Sequence, residues 1–418
     1  MTARQNSSTE RESADVVVLG AGPAGLTLGN ILHAHGIDCV VLERAERAAL
    51  QVRARAGFLA PNTVRTLERH GLADGLLRHG RPHGACEFRT DTGTFRLDYD
   101  RLGRREHHTV YPQQDLVTDL MAHYLDAGGR IRFGAEALAV HDADGHRPTV
   151  DARDAQGRRT RWHARYVAGC DGRHGAARRS LPPGTLRHHP DHGISWLGLL
   201  AEAPPSLDTV GYATHRRGFA GHMARTPDVT RYYLQCERGT PADAWSEERI
   251  WDELDLRMRS DDHRPLHRGR ILQRAVVDLR SDVVEPLRHG SLLLAGDAAS
   301  LISPSAAKGA NLAVLEAELL ALALVDDLAH GDATALDHYS RRCLAHIWRA
   351  QEFSHWMIRL LHTDSGPVSG PDTRADSGAD PRPDDESFFH ESMRRSRLES
   401  LRTSRAHQDW FAENYVGV

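Results

Sequence analysis

Residues 16–43 read VVVLGAGPAGLTLGNILHAHGIDCVVLE, and the rest of the chain is best understood outward from them. The continuous β-branched run Val16–Leu19 fits a strand buried on both faces in a parallel sheet. Leu26–His35 has helical character, and Cys39–Leu42 is a second strand ending at Glu43. Between the first strand and the helix, Gly20, Gly22 and Gly25 form G-x-G-x-x-G. The first glycine permits a tight turn, the second lets backbone approach a pyrophosphate, and the third lets the helix pack on the strand. A phosphate there meets free N–H groups at the positive end of the helix dipole. An acid about 20 residues further on, here Glu43, accepts from ribose hydroxyls. The unit predicts an α/β (α+β) fold built on a Rossmann βαβ dinucleotide site.

Further strands are expected at Arg130–Val140, Tyr166–Gly169 and Ser291–Ala295. The middle of the chain has a different texture: TRYYLQC (230–236) reads as an aromatic-rich strand and Glu247–Arg257 as a helix. Apolar helices are expected over Asn311–His330 and Asp337–His362, and a charged helix over Glu386–His407 before the tail ENYVGV. The division predicted is a disordered polar tail over 1–13, then a dinucleotide domain over 14–190, rejoined by 280–335. A sheet-based substrate domain follows over 191–279. A helical C-terminal region spans 280–418, and its Pro/Gly/Ser/Asp-rich stretch 363–385 reads as a flexible insertion.

The chain has 418 residues, 40% of them hydrophobic, and a formal charge of −4. It can bury a sizeable core and is too near neutrality to be a strongly basic nucleic-acid binder. Arginine carries nearly all the positive charge, and Lys308 is the single lysine. Cys39, Cys86, Cys170, Cys236 and Cys343 show no metal-ligand or redox spacing, and their odd number argues against a disulfide framework. The polar N-terminus lacks a secretory h-region, and no apolar run reaches membrane-spanning length. These features lead us to expect a cytoplasmic protein with no metal, no nucleic-acid partner and no membrane partner.

Two more strand-end turns follow the first motif: Asp171-Gly172 in CDGRHGAAR and Gly296-Asp297 in LLLAGDAASLISPSAAKGANLA. Together with RARAGFLAPNTV (53–64), VYPQQDLVTDLM (110–121), SWLGLLAEAPP (195–205), RRGFA (216–220) and the terminal ENYVG, they carry a resemblance. Over nearly the whole chain after the tail, the sequence resembles the single-component FAD-dependent aromatic hydroxylases, in particular their 4-hydroxybenzoate 3-monooxygenase group. The resemblance implies a glutathione-reductase-like FAD-binding domain and a homodimer. It also implies a monooxygenase reaction: NAD(P)H reduces FAD, oxygen adds to give a flavin C4a-hydroperoxide, and a phenolate ring attacks the distal oxygen ortho to its hydroxyl.

At individual positions, the resemblance assigns FAD binding to Gly20, Gly22, Gly25, Glu43, Arg44, Arg55, Gln113, Asp171, Arg231 and Asp297. It places Lys308 and Asn311 beside the flavin ring, where the helix dipole and the ammonium favour an anionic reduced flavin. Arg44, Arg53, His174 and Arg280 match positions that meet the nicotinamide cofactor. Arg225 and Tyr233 match the pair holding a benzoate carboxylate, a task suited to the arginine fork, with Trp196 lining the substrate. Tyr212 and Tyr415 match the tyrosines that remove the 4-hydroxyl proton. His83 matches the outer end of that relay, where a histidine titrating near neutrality can pass a proton to solvent. Pro304 matches the proline whose carbonyl touches the substrate hydroxyl.

The departures from the pattern concern specificity. Met223 replaces a serine that helps hold the carboxylate, and Gly211 and Gly221 replace aliphatic residues. These glycines should open space unless neighbours fill it; Phe58, where the group has a smaller residue, is one such neighbour. The expected substrate is therefore 4-hydroxybenzoate or a 3-amino or 3-alkyl derivative, with oxidative decarboxylation of such an acid as the alternative. A flavin-binding protein without turnover is a further alternative. Ala45 and Ala49 stand where NADPH-specific relatives carry a glutamine and a tyrosine, and Glu46 adds negative charge. NADH is accordingly favoured over NADPH, although Arg44 and Arg47 pull the other way.

Overall fold

The computed structural model describes residues 10–52, 57–260, 264–362 and 385–417. Arg53, Arg55 and residues 363–384 of the expected insertion lie outside the described residues. The opening stretch forms the centre of a six-stranded sheet. Its order is Arg288–His289, Leu292–Leu294, Tyr166–Gly169, Val16–Leu19, Cys39–Glu43 and Arg130–Phe133. All neighbours are parallel except the first pair. Val16–Leu19 and Cys39–Glu43 are buried at every position, as continuous apolar runs in a sheet covered on both faces should be. Helix Pro23–Ala34 packs against helices Gly309–His330 and Gln113–Asp126.

The strand expected over Arg130–Val140 is in fact two. Gly134, at φ 66°, turns the chain so that Glu136–His141 leaves the parallel sheet. It joins a four-stranded sheet of order Glu10–Ser13, Arg159–His163, Thr149–Arg153, Glu136–His141. Glu10–Ser13 falls within the tail predicted to be disordered, and it pairs in parallel with Arg159–His163. Its side chains are largely exposed, and what fixes it is main-chain pairing at a sheet edge, which a charged composition does not reveal.

A seven-stranded sheet forms the second layer. Its order is Arg270–Arg280, Asp191–Glu202, Val229–Cys236, Ala220–Thr226, Val210–Ala213, Cys86–Thr90 and Gly93–Leu97. The last two strands come from inside the span 14–190 expected to be a dinucleotide domain. They cross over because Cys86 and Phe88 alternate inward, and Phe88 packs 5.4 Å from the Tyr212 ring. Helix Glu247–Arg257, capped by Ser246 accepting from the Arg249 N–H, covers one face through Ile250, Trp251 and Leu254. The other face carries Trp196, Tyr212, Phe219 and Phe88 against the C-terminal helices.

Those helices are Gly309–His330, Thr334–Leu361, Asp385–Thr403 and Arg405–Val416. The charged helix expected over 386–407 breaks at Ser404, which is extended. The residues read as a terminal tail are mostly the last turn of helix Arg405–Val416, so Tyr415 sits on a helix. Among the described residues no helix is long and apolar enough to cross a membrane.

Candidate active site

Strands Val16–Leu19, Tyr166–Gly169 and Leu292–Leu294 are parallel neighbours, so the turns that follow them meet at one end of the sheet. That carboxyl end is where open α/β sheets bind ligands. At Gly20 (φ 96°) a Cβ would lie 2.6 Å from the Cys170 carbonyl oxygen, and at Gly25 it would lie 1.9 Å from the Gly20 oxygen. At Gly22 nothing lies within 4 Å. The three glycines thus serve a tight turn, helix–strand contact and an open approach for something outside the chain. Gly22 caps helix Pro23–Ala34 with no side-chain hydrogen bond and no acid in the first turn, leaving its N–H groups to an anion. Glu43 is buried beside it and accepts from the Ala21 N–H (2.7 Å) and the Ala45 N–H (2.8 Å). The carboxylate keeps further lone pairs for hydroxyl donors.

Asp171 accepts from the Ala177 N–H at 3.1 Å, and burial raises its carboxyl above the usual range. Asp297 lies in the turn Gly296–Ala298. Below that turn is a group the sequence reading missed: Glu316, fully buried, accepts from the Gly296 N–H at 2.6 Å. Burial pushes its carboxyl up to about 8. Uncapped helix, open glycine and flanking carboxylates fit the pyrophosphate and ribose of FAD.

Tyr212 and Tyr415 are both buried, and their hydroxyls are 2.6 Å apart. Burial raises both phenols above their ordinary range. Lys308 is 1% exposed, and its ammonium is held by backbone carbonyls. It donates to the carbonyls of Asn414 (2.7 Å), Tyr415 (2.8 Å) and Gly417. Burial lowers it to about 7. Asn311 is likewise spent on the protein: its amide accepts from the Ala60 N–H and the Thr63 hydroxyl and donates to the carbonyls of Phe58 and Ala307. Both residues therefore brace the elements around the site. Pro304 opens the short turn Pro304–Ala306 and is exposed.

His83 is not hydrogen-bonded to the tyrosine pair. Its Nδ1 meets the Tyr99 hydroxyl at 2.8 Å, and its Nε2 accepts from the Val210 N–H at 3.1 Å. Burial lowers it to about 4, well below the near-neutral value expected of a relay terminus. Phe58 stacks on His108 with centroids 4.2 Å apart and also contacts His83.

In an antiparallel ladder directly paired residues share a face. Tyr212 pairs with Gly221 and Gly221 with Tyr233, and Met223 pairs with Arg231. This puts Tyr212, Gly221, Tyr233, Met223 and Arg231 on one face, with Arg225 at the far end of the same strand. Arg225 is 7% exposed; its Nη2 donates to Gln114 (3.2 Å) and its Nη1 has no partner. Burial and Arg231 lower it to about 10. Arg231 Nε is also unpartnered, and its guanidinium lies 5.9 Å from the Tyr233 ring centre. The neighbouring Gln113 begins helix Gln113–Asp126.

The void expected at Gly221 is filled. A Cβ there would lie 2.9 Å from Phe219 Cζ, and one at Gly211 would lie 2.6 Å from Leu207. Phe219, not Phe58, takes the space, and it stacks on Trp196 at 4.9 Å. Trp196 in turn donates its indole N–H to His362 at 2.7 Å. Of the residues matched to the nicotinamide cofactor, Arg44 and His174 are exposed, while Arg280 pairs with Asp278 at 2.9 Å and Asp191 at 3.5 Å. Among the described residues no cluster of three His, Cys, Asp or Glu could hold a metal.

The sequence matches the FAD binding domain family over residues 13–354. It is 34% identical over 404 residues to p-hydroxybenzoate hydroxylase of Acinetobacter baylyi, spanning 96% of this chain and 95% of that one. A probable NADH-specific resorcinol 4-hydroxylase of Rhodococcus jostii is 27% identical over 81% of this chain and 63% of its own length. The crystal structure of p-nitrophenol 4-monooxygenase from Pseudomonas putida shares the fold, with a TM-score of 0.75 at 18% identity over 98% of this chain and 99% of that one.

Proposed function

The chain belongs to the FAD binding domain family as a single-component flavin-dependent aromatic monooxygenase, and on that premise we propose that it hydroxylates a 4-hydroxybenzoate-type acid ortho to the phenolic hydroxyl. The observation that carries this reading is Tyr212 on one sheet face, bonded to Tyr415 of the helix above it, with a buried Arg225 whose Nη1 is unpartnered at the far end of the neighbouring strand. A buried guanidinium with an unused donor calls for an anion. A hydroxyl pair bonded at 2.6 Å calls for a proton to move.

FAD, reduced by a nicotinamide cofactor, supplies the activation of oxygen. The protein does the rest. Arg225 and Tyr233 hold the carboxylate and fix the ring's orientation. Tyr212 takes the phenolic proton with Tyr415 behind it, and the Pro304 carbonyl accepts from the hydroxyl before it ionises. The phenolate is the stronger nucleophile. Trp196 and Phe219 wall the ring and exclude water.

Phe219 in the Gly221 space supports 4-hydroxybenzoate itself ahead of its 3-substituted relatives. The intact Arg225–Tyr233 grip supports hydroxylation ahead of decarboxylation. NADH as donor is supported by Ala45, Ala49 and Glu46, and by the NADH-specific name of the Rhodococcus relative. The test is aerobic turnover of the FAD-loaded protein with NADH and 4-hydroxybenzoate, with products identified by mass. A product heavier by one oxygen atom is expected. Carbon dioxide release would replace this reading with oxidative decarboxylation, and peroxide alone would move the substrate to a 3-substituted acid.

A further inference from the structure

We propose that the Tyr99 hydroxyl is the exit station for the substrate's phenolic proton, receiving it from the Tyr212–Tyr415 pair and passing it to His83 and the solvent cleft beyond. Neither Tyr99 nor its partner His108 is among the residues the family resemblance assigns. The inference rests on the reading above, in which the substrate phenol must ionise.

Tyr99 lies in the short turn Tyr99–Arg101 and is fully buried. Its hydroxyl is a hub. It lies 2.8 Å from His83 Nδ1, 2.5 Å from the His83 carbonyl oxygen and 3.2 Å from His108 Nδ1. Because His83 Nε2 accepts from Val210, Nδ1 carries the proton, so the ring donates to Tyr99 while Tyr99 donates to the His83 carbonyl. On the other side Tyr99 and His108 both stand edge-on to the Tyr415 ring, with centroids 5.1 and 5.0 Å away. Among the described residues, Tyr99 is the one whose hydroxyl bonds to His83 and whose ring also packs on Tyr415. Outward from His83 opens a cleft of about 160 Å³ walled by Pro82, Arg96, Asp98, Asp100 and Asp208.

No hydrogen bond joins the Tyr415 and Tyr99 hydroxyls directly, so the path requires a bridging water between them. The substrate O–H bond breaks as an O–H bond forms on Tyr212, whose proton moves to Tyr415. The Tyr415 proton passes through the water to Tyr99. Exchange with cleft water moves the ring proton of His83 from Nδ1 to Nε2, which lets go of the Val210 N–H, so that a bare Nδ1 faces Tyr99. The ring takes the Tyr99 proton on one nitrogen and releases the other to cleft water, so each intermediate group gains and loses one proton. The charged and titratable groups facing this path are Asp100 and Cys86 beside Tyr99, Asp208 and Arg96 beside His83, and Lys308 and His107 beside His108.

The test uses FAD-loaded protein mixed with 4-hydroxybenzoate in a stopped-flow spectrometer. Phenolate absorbance reports ionisation and a pH indicator reports proton release. Tyr99→Phe is expected to slow both by roughly tenfold or more, within the range for a positioned proton-transfer group, with substrate Kd and FAD content unchanged. kcat falls with little change in KM, and the defect shrinks as pH rises and hydroxide takes over. His83→Asn should give the same loss, and the double variant no further loss, because the two lie in series. Release at the wild-type rate in Tyr99→Phe, or losses that multiply in the double variant, would overturn the inference and leave the hydroxylase reading standing. If Tyr99→Phe fails to load FAD, His108→Gln gives the same readout: slower release is expected, and an unchanged rate counts against the hub. A wild-type protein that neither ionises nor oxygenates 4-hydroxybenzoate overturns both proposals.

Discussion

Gly22 and Gly25 sit three positions apart and are glycines for opposite reasons. A Cβ at Gly25 runs into the Gly20 carbonyl at 1.9 Å, so Gly25→Ala must displace backbone, and we expect it to lower the thermal midpoint even without cofactor. A Cβ at Gly22 meets nothing within 4 Å. Gly22→Ala should leave the apo fold within about 1 kcal/mol of wild type, as is usual for a substitution away from packed features. It should nonetheless weaken FAD binding by roughly tenfold or more, the cost of one lost close approach, as read by flavin fluorescence. Equal FAD affinity in Gly22→Ala and wild type would remove the pyrophosphate from this turn. Arg225 offers a second pair of opposed signs. Its guanidinium is buried with one nitrogen unpartnered, so Arg225→Met should hold or raise the stability of the ligand-free protein. The same change should cost on the order of 2–5 kcal/mol in 4-hydroxybenzoate affinity, the usual penalty for removing half of a buried charge pair. Calorimetry on the same FAD-loaded samples measures both.

Helix Arg405–Val416 depends on a residue in another helix. The carbonyls left over at a helix C-terminus carry partial negative charge, and here the only lysine in the chain donates to three of them. Lys308→Met fills the same buried space with apolar atoms and removes all three bonds. Hydrogen exchange should quicken over residues 405–417 while the six-stranded sheet stays protected, and substrate ionisation should drop because Tyr415 loses its footing. Unchanged exchange in that helix would show that packing of Phe411 and Tyr415 alone holds it. This contact also marks the limit of what the sequence conveyed. The βαβ unit was legible because a buried parallel strand needs an unbroken apolar run and its turn needs glycine. Helix Glu247–Arg257 was legible from its pattern and its Ser246 cap. Tyr415 was recognised but placed on a tail, since a single serine at 404 splits one charged stretch into two helices. Phe219 was missed as the filler of the Gly221 space, and Tyr99 as the partner of His83. Both depend on which strands become neighbours, and the crossover of Cys86–Leu97 into the second sheet left no periodic signal pointing to Val210–Ala213.

Four histidines, His83, His108, His222 and His362, sit in the interior with their ring nitrogens against protein groups. His362 accepts from Trp196 and donates to the Ile358 carbonyl; His222 accepts from the Ser206 N–H and donates to the Thr209 carbonyl. Burial lowers His83, His222 and His362 to about 4 and His108 well below its ordinary value. In the unfolded chain the same rings titrate near 6.5. Between those values the unfolded state binds more protons, so stability is full above about pH 6.5 and is lost as pH falls towards 4. Glu316 acts with the opposite sign. Its carboxyl is raised to about 8 from an ordinary 4.5, so the folded state binds the extra proton, and its contribution grows as pH falls through 8. Four rings outweigh one carboxyl. Each contributes up to about 1.4 kcal/mol per pH unit, so the protein should lose on the order of 3–6 kcal/mol of unfolding free energy between pH 6.5 and 5, measured by urea titration. Glu316→Gln keeps an oxygen for the Gly296 N–H and removes the opposing proton, and it should make the acid limb steeper. His362→Gln removes one titrating ring and should make it shallower. A urea midpoint unchanged from pH 6.5 to 5 would mean that these rings find water or acid partners when protonated, and that the interior around Tyr99, Trp196 and Thr209 opens more readily than its packing indicates.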